Sequence, residues 1–507
     1  MLNRSGTSVA SSRKIIHSIE TKKSIFWEKL REEKALELFH ETARKVPAYK
    51  DFLKKNHINH ERIKTFKDFQ LVPPVSKKNY LTQYPLEKIV WDRSLCSPLV
   101  WTATSGSTGR PFYFPRSVQL DWEASIVHEL FIKNSLHNAK EPTLVLICFG
   151  MGVWIGGLIT YKAYEIAAQR EGYPISILTP GINKKEILNA FRQLAPNFSQ
   201  TILIGYAPFV KDVLEAATNE KIDLKKLNLR LHFAAEAFTE NFRDYLAKVG
   251  KVKDVCLDTM NIYGSADIGA MAFETPLSIL IRRFAVKNGS RNLFNSIFSN
   301  ITKTPTLAQY NPFAITFEAP DGEILLTGNN TIPLVRYSIG DHGGALSFSE
   351  VKQKLKDHGI SLRESLAQHG LEKYAYELPF VFVYERMDFS TTLYGLQIYP
   401  EHIREALIHP LIHNFLTGKL TMATKFTKQQ DQYLEINLEL RKNVKLTKAV
   451  KKLILDIIVQ NLEKTNSEFR ELHRFLDKRA HPNLVFWPAE DPQYFRPGVK
   501  QQWVKKQ

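Results

Sequence analysis

TLVLICFGMGVWIGGLITY, residues 143–161, carries no charge from end to end and approaches the roughly 20 apolar residues that cross a bilayer. The glycines inside it decide against a span. Gly150, Gly152, Gly156 and Gly157 separate a β-rich run, Leu144 to Phe149, from the start of a helix that continues through the polar YKAYEIAAQRE. The stretch reads as a buried strand, a glycine-rich turn and a helix, with no stable membrane insertion.

The same alternation extends outward from it. Between about 97 and 345, the runs LVLICF, ISILTP, TILIGY, LRLHFAAEA and GEILLTG are separated by amphipathic pieces such as KEILNAFRQL, which predicts an α/β architecture with largely parallel strands. Upstream, residues 24–56 place apolar side chains at three- and four-residue steps, a helical layer interrupted near Pro47. Near 386 the texture changes to strand-like ATKF and YLEINLEL, followed by the amphipathic VKLTKAVKKLILDIIVQNLEK. Residues 1–385 are therefore expected to form a large N-terminal domain of sheets and flanking helices, and 386–507 a smaller α+β domain. In the latter the lysine-rich helix packs on a small sheet with its lysines in water.

With 507 residues the chain exceeds what one core supports, and 44% hydrophobic with 24% charged residues is the composition of packed protein, not of collagen, coiled coil or disorder. Lys plus Arg exceeds Asp plus Glu to give a net charge of +17, which suits an anionic partner. The basic residues are interspersed with acidic ones, as in KKEILNAFRQ (184–193), so nucleic acid is not the expected partner. Cys96, Cys148 and Cys256 are few and far apart, which predicts no disulfide framework or Cys-rich zinc site and a reducing, cytoplasmic setting. The first 23 residues lack the apolar stretch of a secretory signal and read as a frayed tail. His57 with His60, and His409 with His413, lack a third ligand and an HExxH context, so neither pair reads as a metal centre.

TSGSTGRP, residues 104–111, concentrates hydroxyls and glycines after Trp101. Glycine permits close backbone approach, and Thr104, Ser105, Ser107 and Thr108 add O–H donors beside free N–H groups, a set suited to phosphate oxygens. The Gly-Lys-Ser/Thr ending of a Walker loop is missing. Taken alone, the same composition also fits a flexible linker.

The order of further segments resembles the adenylate-forming enzymes, in particular the phenylacetate-CoA ligase family. TSGSTGRP resembles the phosphate-binding loop of that group; FAAEAFTENFR (233–243) resembles its Gly-Ala-Glu-Pro-Trp stretch, and NIYGSADIG (261–269) its Tyr-Gly-x-Ser-Glu motif. DGEILLTG (321–328) and IPLVRYSIGD (332–341) resemble its Gly-Glu-Leu-x-x-Thr and Pro-Leu-x-Arg-Tyr-x-x-Gly-Asp pair, and ERMDFSTTLYGLQIYPEHIREAL (385–407) its hinge. FHETARKVPAYKDFLKK (39–55) and FGMGVWIGGL (149–158) resemble its Val-Pro-x-Tyr and Gly-Tyr-Gly-Leu-Phe-x-Gly-Gly-Leu stretches.

The resemblance implies a ligase in which a carboxylic acid attacks the α-phosphorus of ATP, expels pyrophosphate and passes as an acyl-adenylate to coenzyme A. An amine or a carrier-protein thiol is the alternative acceptor, and a non-catalytic polyanion-binding protein the alternative class. It implies that Thr104, Ser105, Gly106, Ser107, Thr108 and Gly109 hold the ATP phosphates, with Arg110 nearby, and that Ala235, Glu236 and Tyr263 line adenine. Asp341 would accept hydrogen bonds from both ribose hydroxyls, work suited to a carboxylate, with Arg386 close by and Asp388 at the hinge. Arg336 is either structural or phosphate-facing. Asp267 stands where the family has Glu as a Mg2+ ligand and is one methylene shorter. In FRPGVKQQWVKKQ (495–507) Lys500 corresponds to the catalytic lysine, in competition with a plain basic tail. Phe149, Gly150, Met151, Val153, Trp154, Tyr206, Ala207 and Pro208 would surround an apolar acid, or could simply be core. The identity of the acid and the oligomeric state are left open by the sequence.

Overall fold

The computed structural model describes residues 9–92, 94–97, 99–104, 112–151, 155–287, 291–299, 305–386, 391–407 and 409–495. Contacts divide the chain into two units. The first comprises 1–103, 113–205 and 213–387; the second comprises 104–112, 206–212 and 388–507.

In the first unit the strands are β1 (Val100–Ala103), β2 (Tyr113–Arg116), β3 (Thr143–Cys148), β4 (Ile175–Leu178), β5 (Gln200–Gly205), β6 (Leu229–Ala234), β7 (Thr259–Ser265), β8 (Gly269–Phe273), β9 (Thr306–Gln309), β10 (Ile315–Glu318), β11 (Glu323–Gly328), β12 (Leu334–Leu346) and β13 (Phe380–Arg386). β1 and β2 form a hairpin, and the other eleven strands make one sheet in the order β10-β11-β12-β13-β9-β8-β7-β6-β5-β3-β4.

The charge-free stretch opens as β3, buried along its whole length, and resumes as the helix Ile155–Glu171. β3 lies between parallel β4 and β5, so both of its faces and both of its edges are covered. Such a strand reads as an unbroken apolar run. Full burial of each Val, Leu or Ile there contributes about 1.5–3 kcal/mol.

From β4 to β7 the neighbours are parallel, joined by crossovers that include the helices Ile155–Glu171, Lys184–Gln193 and Glu240–Gly250. Beyond β7 every pairing is antiparallel. The expectation of largely parallel strands therefore holds for only half of the sheet. The connections from β10 through β11 to β12 are too short for a crossover helix, and short connections close antiparallel pairs.

The N-terminus also differs from its reading as a frayed tail, for Val9–Thr21 is a helix. Ile16 and Ile19, three residues apart, are buried, and Arg13 pairs with Glu171. Ser24–Lys45 and Pro47–Lys55 follow as helices, with Pro47 at the start of the second, where its missing N–H costs nothing.

In the second unit β14 (Thr391–Leu393) and β15 (Leu396–Ile398) form a hairpin, while β16 (Leu416–Phe426), β17 (Gln432–Leu440) and β18 (Asn483–Trp487) form a three-stranded sheet. Helix Lys448–Thr465 buries Ile454, Ile457, Ile458, Val459 and Leu462, the spacing of one apolar face. Residues 206–212 belong here through side chains. Lys211 pairs with Asp431 at 2.8 Å and Asp212 with Arg479 at 2.9 Å, and Tyr206 covers Gly395 so closely that a Cβ there would lie 2.4 Å from its ring.

Candidate functional site

Tyr263 lies near the end of β7 and Asp341 in β12, in different parts of the sheet. The Tyr263 hydroxyl donates to Asp341 Oδ2 at 2.5 Å. Asp341 is 6% exposed and sits inside the strand, not in the turn that its neighbours His342-Gly343-Gly344 would suggest. Its backbone register partner on β13 is Arg386.

The two glycines permit this pairing. A Cβ on Gly343 would lie 1.8 Å from the Phe382 carbonyl oxygen, and one on Gly344 would lie 2.4 Å from the Phe382 ring. β12 and β13 could not meet beside Asp341 with larger residues there, and the ladder shifts register between His342 and Gly343. A carboxylate has about four acceptor positions, and Tyr263 uses one of them.

A second constellation is built on the same strand. Val75 bridges β12 at Tyr337: its N–H donates to the Arg336 carbonyl, and its carbonyl accepts from Ser338 N–H. Arg336 grips Glu318 through Nε and Nη2 at 3.1 and 3.2 Å and donates to the Val72 carbonyl, which makes it the structural one of its two readings. The bridge delivers Lys77 to Asp267. Asp267 is 3% exposed; Tyr337 donates to its Oδ2 at 2.6 Å, and Lys77 Nζ stands 3.3 Å from its Oδ1.

Lys77 also lies over the Phe114 ring of β2, and Thr102 of β1 donates to the Ala266 carbonyl at 3.3 Å. The hairpin carrying the 104–111 loop is thus tied to the Asp267 turn. Both carboxylate oxygens of Asp267 are engaged by the chain's own donors, one of them a cation. A divalent ion would have to displace Lys77, so the arrangement does not fit Asp267 as a direct Mg2+ ligand.

The neck of the 104–111 loop is closed at Thr104, whose N–H donates to the Phe112 carbonyl and whose Oγ1 accepts from Phe112 N–H, both at 3.0 Å. Ser105, Gly106, Ser107, Thr108 and Gly109 lie outside the described residues, as do Arg110, Val153, Trp154, Asp388 and Lys500.

Parallel pairing sets Ala234 beside Ile262, so the chain leaving β6 brings Ala235 and Glu236 alongside the end of β7. Ala235 is exposed with φ +74°, a left-handed conformation costly for alanine. The following carbonyl, of Glu236, accepts from Asn261 Nδ2 at 2.9 Å. Asn261 is in turn fixed by Glu274, which accepts its N–H at 3.0 Å.

Glu274 belongs to a buried charge cluster. Arg243 contacts Glu274 at 2.7 Å and Glu240 at 3.1 Å, while Arg282 contacts Glu240 at 2.6 Å. Burial alone would raise the Glu240 carboxyl, but Arg243, Arg282 and Arg283 hold it below the usual range.

The residues expected around an acid divide between the units. In the first, Phe149 is 1% exposed, and its ring backs Gly156 at 3.6 Å from where a Cβ would be; Gly150 is half-buried and Met151 exposed. In the second, Tyr206 stands on Gly395, with Ala207 and Pro208 buried. The sequence missed Lys77 and Asn261. Lys77 sits in an unremarkable VSKKNY, and only the Val75–Tyr337 bridge brings it to Asp267.

No protein-family model matches the chain, and no curated protein matches its sequence. Solved structures do match in three dimensions. The 2-hydroxyisobutyryl-CoA ligase in complex with 2-HIB-AMP and CoA in the thioesterification state superposes with TM-score 0.65 at 14% identity, over 96% of this chain and 91% of that one. The fold is that of this ligase. Its open conformation with 2-HIB-AMP and CoA gives TM-score 0.52 at 14% identity, over 96% and 93%. Its postadenylation state with R3-HIB-AMP gives 0.52 at 14% over 97% and 91%. At this identity the likeness is one of fold, an α/β architecture with a large multi-stranded sheet and flanking helices. It does not extend to the finer phenylacetate-CoA ligase family.

Proposed function

We propose that the chain activates a carboxylic acid with ATP, forming an acyl-adenylate and pyrophosphate, and then passes the acyl group to the thiol of coenzyme A. The observation that carries this reading is the Tyr263–Asp341 hydrogen bond, which sets an aromatic face beside a buried carboxylate on the fold of a CoA ligase. In this reading Asp341 accepts from the vicinal ribose hydroxyls, and Tyr263 fixes the Asp341 carboxylate while its ring stacks on adenine. Ala235 and Glu236 supply the backbone on the other side of the base. Asn261 holds that turn through the Glu236 carbonyl.

The hydroxyls and glycines of 104–109 take the polyphosphate, as neutral donors organised before the reaction do. Lys500 is the proposed cation between the acid and the α-phosphate, and Arg386 adds charge beside the ribose; 386–507 is the proposed mobile domain, turning near Asp388. The acid is proposed to sit beside Gly150, with Phe149, Trp154, Tyr206 and Pro208 as its apolar walls. Lys77, paired with Asp267, places a cation at the base of the hairpin that carries the loop.

AMP formation from ATP across acids from acetate to aryl and long-chain types, with and without CoA, tests the proposal. The expected result is acid-dependent AMP that rises with CoA and is accompanied by a thioester. Amide or carrier-protein products would move the acceptor, not the first step. Salt-sensitive binding of polyanions with no AMP from any acid would instead support a non-catalytic role.

A further inference from the structure

Asp267 is held from two sides by partners of unequal exposure. Tyr337 donates to its Oδ2 at 2.6 Å, and Lys77 Nζ stands 3.3 Å from its Oδ1. The side chain of the carboxylate is 4% exposed and that of the lysine 25%. A ligand arriving from solvent therefore meets the ammonium before the carboxylate. That order attracts an anion and opposes a metal ion.

The ammonium also has donors to spare. It carries three N–H groups, and a pairing with one carboxylate oxygen occupies at most one of them. Among the described residues the other contact of Lys77 Nζ is the Phe114 ring, 5.8 Å to its centroid, which attracts a cation without taking an ordinary hydrogen bond. At least two N–H groups are thus left for an oxygen-rich ligand by the described residues.

The backbone pins the lysine at this spot. Val75 is fixed to β12 by its bridge to Tyr337, and Ser76 caps the short helical turn Lys77–Leu81, accepting from Asn79 N–H at 3.1 Å while Asn79 Oδ1 accepts from Ser76 N–H at 2.7 Å. Phe114, beneath the ammonium, lies two residues past Phe112, which closes the neck of the 104–111 loop against Thr104. Thr102, opposite Phe114 in the hairpin, donates to the Ala266 carbonyl beside Asp267. Lys77 therefore stands at the foot of the loop proposed for the polyphosphate. The loop's own hydroxyls and N–H groups at 104–109 are neutral donors, whereas a triphosphate tail carries several negative charges.

We propose that Lys77 binds the terminal phosphates of the nucleotide directly, and that Asp267, oriented by Tyr337, positions this lysine and is not a metal ligand. The inference rests on the ATP reading given above and adds to it the cation that meets the β- and γ-phosphates. A lysine suits this place because it binds phosphate as a point charge with freely turning donors.

Calorimetric titration of the full-length chain with ATP and with AMP, each in EDTA and in Mg2+, tests it. AMP lacks the phosphates that Lys77 meets, so it reports the adenosine end and the fold in the same sample. Lys77→Met is expected to weaken ATP binding about 10-fold or more and AMP binding by less than about 2-fold. Lys77→Arg, which keeps the charge, loses less of the ATP affinity. Asp267→Asn leaves the Mg2+ concentration that half-saturates ATP binding within about 2-fold of the parent's, which loss of a metal ligand would not. The lysine proposal alone is overturned by any of three results: ATP binding in Lys77→Met as tight as in the parent, equal loss of ATP and AMP in both Lys77 variants, or a Mg2+ requirement raised about 10-fold or more in Asp267→Asn. A parent chain that binds neither nucleotide up to millimolar concentration overturns the ATP reading with it.

Discussion

Tyr263 is held in place by what it donates to. Replacing it with Phe keeps the ring and removes the proton donated to Asp341 Oδ2. A hydrogen bond to a charged group contributes about 1.5–3 kcal/mol, so Tyr263→Phe is expected to raise the KM for ATP about 10-fold or more while leaving kcat within about 3-fold. Steady-state kinetics on ATP checks this, and an unchanged KM removes the tyrosine from the ribose end of the site. Lys77→Met tests the neighbouring pair. It leaves the buried Asp267 carboxylate the hydrogen bond from Tyr337 but no cation, and a loss of about 1–3 kcal/mol in urea unfolding is expected, less than for a fully buried pair because Lys77 is a quarter exposed. The short contiguous motifs NIYGSADIG and RYSIGD single out Tyr263 and Asp341, and the fold brings the two into hydrogen-bond contact. Lys77 was not legible, because no local pattern carries a contact made across the fold by a single β-bridge.

Elements whose neighbours are close in sequence were read well, and those whose partners are remote were not. The runs 144–149, 175–178, 200–205, 229–234 and 323–328 announce their strands by unbroken apolar β-rich composition. Nothing in GEILLTG says that its partners run antiparallel, which depends on connection length. The helix Val9–Thr21 is hidden in the sequence for a similar reason, since its buried Ile16 and Ile19 stand among polar residues and its ion pairs reach Glu171 and Lys133.

Two predictions belong at this scale. Helix Val118–Lys133, helix Ile155–Glu171 and β6 meet at His128, Tyr164 and His232, where Tyr164 Oη and His232 Nδ1 are 3.2 Å apart. Burial pushes His128 down to about 4, and burial together with His128 and Arg230 holds His232 well below the ordinary value. The unfolded chain takes up these protons near pH 6.5, whereas the folded chain does not until near pH 4 for His128. The stability each neutral ring confers is complete above about pH 6.5 and is lost as pH falls below it. Unfolding free energies from urea melts at about pH 7.5 and about pH 5 are expected to fall less in His128→Gln than in the parent, the difference growing by about 1.4 kcal/mol per pH unit below about pH 6.5. Equal slopes would mean that the histidine is accessible to protons in the fold.

The charge cluster beneath the 235–236 turn gives the second prediction. Glu274→Gln removes one of the two carboxylates paired with the fully buried Arg243, leaving Glu240, and is expected to cost about 1–3 kcal/mol in unfolding free energy. If the variant instead keeps the parent's urea midpoint, the cluster does not hold that end of the sheet.

At the scale of the whole molecule, the net charge of +17 suits the anionic reactants of the proposed reaction. Composition alone pointed to an anionic partner, and the ordered motifs implied which fold would hold it; substrate identity was not legible, because apolar residues such as Phe149 serve equally as core and as pocket wall. The central claim is that Asp341 holds the sugar of a nucleotide whose innermost phosphorus is attacked by an acid. Acid-dependent exchange of labelled pyrophosphate into ATP, run in parallel on the parent chain and on Asp341→Ala, tests it most directly. The account predicts exchange in the parent with at least one acid and its loss by about 100-fold or more in Asp341→Ala with the fold intact; undiminished exchange in Asp341→Ala, or none in the parent with any acid, would contradict it.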